Sequence, residues 1–381
     1  MKIRHLFLTA ASILCGSIFI SCEDFLDREP ESSISPEIYF TDASQLQSWA
    51  DKFYSAILPS SGKNSYGFYA EDKHTDNQIA SDTPNRLTKT LWKVPQDDSN
   101  WKFENIYQLN YFLDNVLPKF GENLDGSQNQ ISGNLQSIRH YIGEIYFLRA
   151  LDYFNRYQKF GDFPIVEHAL TDDMEATTEA SKRSPRNEVA RFILSDLDKA
   201  ATLMDGIDFA TTRINRDLAL LLKSRVALYA ACAADAAKSN LYENLSGSEE
   251  SKAIYRFEKG SSHYYQIAYD AAKSVIGKYK LDESYAKLFN SSDGYTSSES
   301  IWPVMFNKDN RTGFNVASCH APVGKYYGST NDFNKDWGVR GSTYPTQDLV
   351  DCYYQKDDAD GKWKQWWKTK QATVDMNGSV D

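Results

Sequence analysis

The chain has 381 residues, 41% hydrophobic and 25% charged, a balance typical of globular proteins. Its formal net charge of −10 argues against binding of nucleic acid or of an anionic membrane surface by general electrostatics. Aromatic residues make up 14% of the chain, with 24 Tyr and 20 Phe. So many aromatic side chains in an acidic chain predict tightly packed helical hairpins, an exposed aromatic binding face, or both.

The N-terminus has the parts of a secretory signal. A basic start precedes an apolar run over residues 6–20, which is short for a membrane span, and Ser21 and Cys22 follow. The small residue before the cysteine predicts a signal peptide over residues 1–21 and acylation (palmitate) of Cys22, at the start of a tether over residues 22–40. Plain secretion with an incidental cysteine is the alternative, because the residue three positions before the cut is not the usual leucine.

Hydrophobic periodicity predicts helices over the middle of the chain. Ser184 and Pro185 have the pattern of a helix start, a capping hydroxyl followed by proline at the first helical position, and Asn215 is placed to cap the next helix. Small residues alternate with Leu, Tyr and Val, which favours closely packed hairpins of the tetratricopeptide type, although no strict 34-residue repeat occurs. Further helices are predicted over residues 42–58, 101–120 and 263–279.

The strongest helical pattern lies in RHYIGEIYFLRALDYFNRYQKFGDFPIVEHAL, residues 139–170. Apolar residues recur every three or four positions and aromatic residues cover the other sides, so this helix must pack against neighbours on more than one side. Gly143 and Ala150 are small enough to let a neighbouring helix approach closely. Gly161 offers a left-handed C-cap, and Pro164 prevents the helix from restarting.

This stretch resembles the pattern of SusD/RagB-type outer-membrane lipoproteins: an acidic residue, FLRA, an aromatic pair, and FG-x-x-P. The chain departs little from it, and four further blocks are similar to the family. Because members normally continue well past the last block, the resemblance implies that a C-terminal portion is missing, either because the chain is a fragment or because it is a naturally short form. The matching residues are Glu144, Phe147, Leu148, Arg149, Ala150, Tyr153, Phe154, Phe160, Gly161 and Pro164, and the other blocks lie at 23–30, 101–113, 264–281 and 344–350.

The resemblance implies a mainly α fold: tetratricopeptide-like helical hairpins forming an α-α superhelix, with an irregular lobe that contains a few short strands. We expect one SusD-like domain over residues 41–381, with the helical repeats mainly in 101–280. The irregular ligand lobe is expected to come from residues 59–100 and 281–381. Within the second of these segments, residues 300–304 have the pattern of a short strand.

The resemblance also implies a function. Such a protein is lipid-anchored in the outer membrane and exposed at the cell surface, where it captures glycans or other nutrient oligomers. It delivers them to a SusC-like TonB-dependent porin, over which it sits as a lid. Two alternatives stay open: a tetratricopeptide scaffold lipoprotein that binds only proteins, and, with less support, a surface glycosidase.

Motifs of catalysis and metal binding are missing from the sequence. The histidines are scattered, and HExxH, GxSxG, Walker A and GxGxxG patterns do not occur. Three cysteines follow Cys22, without CxxC spacing, which disfavours a disulfide framework or a zinc site. We therefore expect a binding protein without cofactor or metal, and we expect Cys232 to be a small buried residue of an alanine-rich helix.

Aromatic residues outside the helical repeats are the candidate glycan ligands. Sugars present apolar C–H faces and hydroxyl edges, so their sites need Trp or Tyr faces beside Asn, Asp, Gln or Arg. Two stretches contain this mixture: residues 66–78 together with Trp92, and residues 294–314 followed by Tyr326, Tyr327 and Trp337. Core packing is the alternative for each aromatic residue, and Trp101 is assigned to the core. The expected ligand residues are Tyr66, Tyr69, Asp72, Asn77, Trp92, Tyr295, Trp302, Asn307 and Arg311.

Overall fold

A computed structural model describes residues 39–57, 77–80, 101–209, 212–238, 260–290, 296–303, 343–345, 354–356 and 363–365. These residues form eight helices and four short strands. The helices are α1 (Ala43–Ile57), α2 (Glu104–Phe120), α3 (Leu135–Phe160), α4 (Met174–Ala180), α5 (Arg186–Leu203), α6 (Arg216–Lys238), α7 (Ser261–Lys273) and α8 (Tyr285–Asn290). The strands are β1 (Gln78–Ala80), β2 (Thr343–Pro345), β3 (Tyr354–Lys356) and β4 (Trp363–Gln365).

Helix α3 is the centre of the fold. Asn134 caps it by accepting hydrogen bonds from the N–H groups of Gln136 and Ser137, and 17 of its 26 residues are buried. The predicted burial on several sides is therefore confirmed. Gly161 ends the helix with a positive φ of 71° and donates its N–H to Tyr157 O, although its ψ of −94° lies outside the left-handed helical region.

The remaining helices pack around and beyond α3, and this arrangement confirms the mainly α, tetratricopeptide-like fold. Helices α1, α2 and α5 pack directly on α3, α6 packs on α5, and α7 packs on α6. Gly143 permits the close approach of α3 to the end of α5. A Cβ atom at this position would lie 2.8 Å from Met204 Cγ and 3.3 Å from Ala200 O.

The start of α5 differs from the prediction. Ser184 lies one residue before the N-cap and does not cap the helix with its hydroxyl; its backbone pairs with that of Phe163 through two hydrogen bonds of 3.1 and 3.2 Å. Pro185 occupies the N-cap position rather than the first helical position. Asp162 takes the capping role instead, since its Oδ1 accepts a hydrogen bond of 3.0 Å from the N–H of Arg186.

Two further predictions concern single side chains. Trp101 is half-buried and packs against the core, in line with its assignment. It precedes α2 and packs edge-on against Phe160 and Phe163, with ring centroids 5.0 and 4.9 Å away. The predicted burial of Cys232 is wrong, because this residue of α6 is exposed.

The described helices include none with the length and apolarity that crossing a bilayer requires.

Short strands connect distant parts of the chain. β1 pairs antiparallel with β2, placing Ile79 opposite Tyr344, and β3 pairs antiparallel with β4. Parts of the segments 59–100 and 281–381 therefore lie side by side. The strand predicted over residues 300–304 is wrong for its described part, because residues 301 and 302 form a bend and residues 300 and 303 have no regular secondary structure.

Candidate functional site

Arg149 of α3 holds the helical array together. Its guanidinium binds Asp196 of α5 through Nε–Oδ2 and Nη2–Oδ1 contacts of 2.7 and 2.9 Å. Nη1 donates to Asn110 Oδ1 of α2 at 2.8 Å, and Asn110 Nδ2 donates to Val166 O at 2.7 Å. We call Arg149, Asp196 and Asn110 the α5 clamp. It connects three helices and the segment after α3.

The α5 clamp is buried, and its charges compensate each other. The side chains of Arg149 and Asp196 are 4% and 0% exposed. Burial acts to lower the pKa of Arg149, but the charge and the hydrogen bonds of Asp196 outweigh it and raise that pKa above its ordinary value. The guanidinium therefore stays charged, and the clamp is part of the fold rather than a ligand site.

Glu144 of α3 is the centre of a second buried network. Its side chain is 0% exposed, and Arg213 binds it through Nε–Oε1 and Nη2–Oε2 contacts of 2.9 and 2.7 Å. The Tyr54 hydroxyl donates to Oε1 at 2.8 Å, and His140 Nε2 lies 2.9 Å from the same oxygen. Arg213 also donates to the more exposed Asp51 at 2.7 Å. Both oxygens of Glu144 are thus occupied by donors.

Protonation in this network follows from burial and charge. Burial and then the charge of Glu144 raise the pKa of Tyr54, opposed by the N–H of Ile214 and by Arg213. Burial acts to lower the pKa of Arg213, but hydrogen bonding and charge from Glu144 raise it overall. Tyr54 is therefore a neutral donor and Arg213 a cation at physiological pH.

Residues 212–215, which we call the strap, lead into α6 and are bound to this network from outside the helices. Arg213 contributes the ion pair with Glu144, and the N–H of Ile214 donates to the Tyr54 hydroxyl oxygen at 2.9 Å. Tyr54 thereby donates to Glu144 and accepts from the strap. Of the two inner residues of the strap, Arg213 is held by its side chain and Ile214 by its backbone N–H.

The two outer residues of the strap bind the segment that carries Trp302. The indole Nε1–H of Trp302 donates to Thr212 O at 3.0 Å, and Asn215 Nδ2 donates to Ile301 O at 3.2 Å. Asn215 Oδ1 also accepts from the N–H of Leu218 at 2.9 Å, which confirms its predicted capping role. The strap therefore connects the buried carboxylate with a half-exposed tryptophan.

A cavity of about 410 Å³ lies beside the strap and is bordered by Ile301. Arg216 Nε lies 2.9 Å from Asp205 Oδ1, Lys278 Nζ lies 2.6 Å from Asp217 Oδ1, and the Tyr279 hydroxyl donates to Asp217 Oδ2 at 3.2 Å. The walls thus offer both donors and acceptors beside apolar surface, as a polar ligand needs. The lining residues are Met204, Asp205, Gly206, Ile207, Asp208, Phe209, Asn215, Arg216, Asp217, Lys278, Tyr279, Ser300 and Ile301.

Only part of the expected ligand site can be placed. Trp302 lies at the strap next to this cavity, and Asn77 precedes β1 at intermediate exposure. The sequence did not indicate Asn215, Asp217 or Tyr279 as ligand residues, because they lie in or beside helices and carry no binding motif. The expected residues Tyr66, Tyr69, Asp72, Trp92, Tyr295, Asn307 and Arg311, and the lipidation site Cys22, lie outside the described residues.

The other described cavities are smaller. One of about 180 Å³, beside α2 and α4, has Phe103, Ile106 and Tyr107 in its wall. Another, of about 250 Å³, lies where Gly161 meets Arg186. Across the described ranges, no group of three His, Cys, Asp or Glu side chains is arranged to hold a metal ion. The cavity beside the strap is the largest of the three, and its lining includes Ile301, the residue before Trp302.

Comparisons with known proteins agree with this fold. A SusD-like family described as "Starch-binding associating with outer membrane" matches residues 24–228. SusD-like protein P25 of Formosa agariphila is 26% identical over 333 residues, covering 82% of this chain and 54% of that protein. SusD-like protein P38 of the same organism is 25% identical over 233 residues, covering 60% of this chain and 43% of that protein.

Solved structures of SusD-like proteins have a similar backbone fold. A SusD-like protein from Bacteroides fragilis superposes with a TM-score of 0.60 at 19% identity, covering 90% of this chain and 58% of that one. A SusD-like carbohydrate binding protein from the same organism has a TM-score of 0.59 at 17% identity, with the same coverages. The chain spans about half the length of the curated relatives it matches.

Proposed function

We propose that this chain, which belongs to the SusD-like family, is a binding protein that captures glycans and is not an enzyme. The family match extends over residues 24–228, more than half of the chain, and the family is described as starch-binding and associating with the outer membrane. One of the structural relatives is described as a carbohydrate binding protein. Other nutrient oligomers, such as peptides, are the alternative ligand class.

Trp302 beside the polar cavity is the observation that carries this proposal. Its hydrogen bond to Thr212 uses the edge of the indole ring, so the ring faces are not consumed by that bond. A sugar stacks its C–H face on such a ring and directs its hydroxyl groups to neighbouring donors and acceptors. Asn215, Asp217 and Tyr279 in the cavity wall supply these groups.

We further propose that the protein is lipid-anchored through Cys22 in the outer membrane and exposed at the cell surface. The signal-like N-terminus and the family description support this location. The captured glycan would pass to a SusC-like TonB-dependent transporter. Metabolic labelling with a palmitate analogue, with Cys22→Ser as the unlabelled control, tests the anchor. Co-purification of a porin from the native outer membrane tests the partner.

A glycan array and affinity gels on the Cys22→Ser chain test capture. We expect retention on one polysaccharide family, and we expect Trp302→Ala to weaken it roughly tenfold, the loss of about 1.4 kcal/mol. Tyr269→Ala, which removes a 57% exposed tyrosine of α7 outside the cavity, is the matched control and should retain the glycan normally. Trp92→Ala tests the expected residues outside the described part.

Each alternative function predicts a different result. Unchanged retention in a folded Trp302→Ala variant would place the site elsewhere, and release of shorter sugars from a labelled glycan would indicate a glycosidase. Retention of no glycan would favour the protein-binding scaffold. That second candidate has its own support, because Tyr265, Tyr269 and Ile276 in and after α7 are 42%, 57% and 77% exposed, as residues of a protein-binding surface often are.

A further inference from the structure

We infer that Glu144 and Arg213 are positioning residues for the Trp302 side of the ligand site, acting through the strap. This inference rests on the proposed function, since it says which buried residues set the geometry of that site. Neither residue lines the cavity. Their effect on a ligand must therefore pass through the backbone of residues 212–215.

The inner attachment of the strap is rigid. Arg213 forms two parallel contacts with the fully buried Glu144, and this fork geometry restricts both the position and the orientation of the guanidinium. The hydrogen bond from Ile214 N to Tyr54 fixes the next peptide unit as well. Arg213 is therefore tied to α3 through its side chain, and Ile214 is tied to α1 through its backbone N–H.

The outer attachment of the strap restricts the orientation of the Trp302 ring. The peptide group between Thr212 and Arg213 is planar, so fixing Arg213 also constrains the carbonyl of Thr212. That carbonyl accepts the only N–H that an indole ring can donate. Asn215 restrains the neighbouring backbone at Ile301. Because the ring plane must contain its N–H bond, the Thr212 oxygen limits how the stacking faces can turn.

The neighbouring ionisable groups supply matched variants. Asp51 also binds Arg213, but its side chain is 48% exposed and it does not contact Glu144. Asp51→Asn therefore alters one ion pair of the same arginine while it leaves the buried fork in place. Arg213→Lys keeps the charge but cannot form the two parallel contacts. Glu144→Gln keeps the shape of the acceptor but removes its charge.

The experiment uses the Cys22→Ser chain labelled with 5-fluorotryptophan, which gives one ¹⁹F resonance for each of 8 Trp residues. Loss of one signal in Trp302→Phe assigns that resonance. We expect Arg213→Lys and Glu144→Gln to shift or broaden the Trp302 signal, whereas Asp51→Asn leaves it unchanged. We also expect Arg213→Lys to weaken glycan retention roughly fivefold in the wild-type background and to have no further effect in Trp302→Ala.

The outcomes separate this inference from the proposed function. Equal losses for Arg213→Lys with and without Trp302, or an unmoved Trp302 resonance in folded variants, would overturn the inference. A wild-type chain that retains no glycan while Arg213→Lys still shifts the Trp302 signal would contradict the proposed function only. If Glu144→Gln does not fold, Tyr54→Phe provides the milder test, because it removes one hydroxyl between Glu144 and Ile214.

Discussion

Two buried charged residues on the same helix, Arg149 and Glu144, belong to different parts of the molecule. Arg149 binds Asp196 within the helical array, where both side chains are at most 4% exposed. Glu144 binds Arg213, which is 15% exposed and lies on a connection between helices. The α5 clamp therefore ends inside the array, whereas the Glu144 network continues through the strap to the surface.

This difference assigns two structural roles to one short sequence pattern. Buried ion pairs often add little net stability compared with apolar residues of the same shape, but losing one partner is costly. Their contribution here is geometric: the clamp sets how helices meet, and the Glu144 network sets where a connecting segment lies. The two halves of the FLRA-containing pattern thus serve packing and, by our inference, site placement.

The largest effect is expected from Asp196→Ala. The variant leaves the buried Arg149 without its counter-charge, and we expect it to lower the free energy of unfolding by ~3–5 kcal/mol. Urea denaturation followed by circular dichroism measures this loss. The double variant Arg149→Met with Asp196→Leu should recover much of it, because no buried charge remains. A loss below ~1 kcal/mol in Asp196→Ala would show that the clamp is not closed in solution.

Both networks contain or adjoin a tyrosine whose titration lowers stability at alkaline pH. Burial raises the pKa of Tyr146, next to the clamp, to about 12, whereas an unfolded tyrosine titrates near ~10. Above pH ~10 the unfolded chain loses this proton while the folded chain keeps it, so stability falls as the pH rises. The slope is at most ~1.4 kcal/mol per pH unit for each such group.

Tyr146→Phe and Tyr54→Phe should both flatten this alkaline decline, since the pKa of Tyr54 is raised as well. They should differ at neutral pH. Tyr54→Phe deprives Glu144 of a donor and Ile214 of an acceptor, so it should be less stable than wild type, whereas Tyr146→Phe should be close to wild type. Urea unfolding from pH 7 to 11 tests both, and equal stabilities at pH 7 would contradict the Tyr54 assignment.

The smallest effect is expected from Asp51→Asn. This carboxylate binds Arg213 from the solvent side, and surface ion pairs contribute ~0–1 kcal/mol. We expect a change in unfolding free energy within that range, and the remaining effect should disappear at high salt because exposed charges are screened. A loss as large as that of Asp196→Ala would mean that the two networks are equally buried in solution.

The helical part of the fold could be predicted because its determinants are local. Apolar spacing identified α3, and the small Gly143 indicated the close contact now seen with Met204. The cap of α5 could not be predicted from local sequence. The backbone of Ser184 pairs with that of Phe163, and the residue that caps the helix, Asp162, lies 24 residues before Arg186, from whose N–H it accepts a hydrogen bond.

The candidate site was harder to predict than the helices. Residue type made Trp302 an expected ligand residue, but the group that accepts its hydrogen bond is the backbone carbonyl of Thr212, which carries no sequence signal of its own. Likewise, Arg213 and Glu144 meet across 69 residues of chain. Periodicity identifies which face of a helix is buried, but it does not indicate which residue of a connecting segment binds to that face. The strand expected over residues 300–304 shows the same limit, since a side chain of the strap holds that backbone.

The pairing of β1 with β2 has a consequence for the order of folding. Ile79 lies before most helices of the array in the sequence, whereas its partner Tyr344 follows all of them. Closing so long a loop costs chain entropy before the short ladder returns any stabilisation, so sequence-distant pairings form slowly. The helices, which need only near neighbours, can assemble first. We therefore expect the backbone amides of β1 that donate to β2 to gain protection from hydrogen exchange in the last phase of refolding.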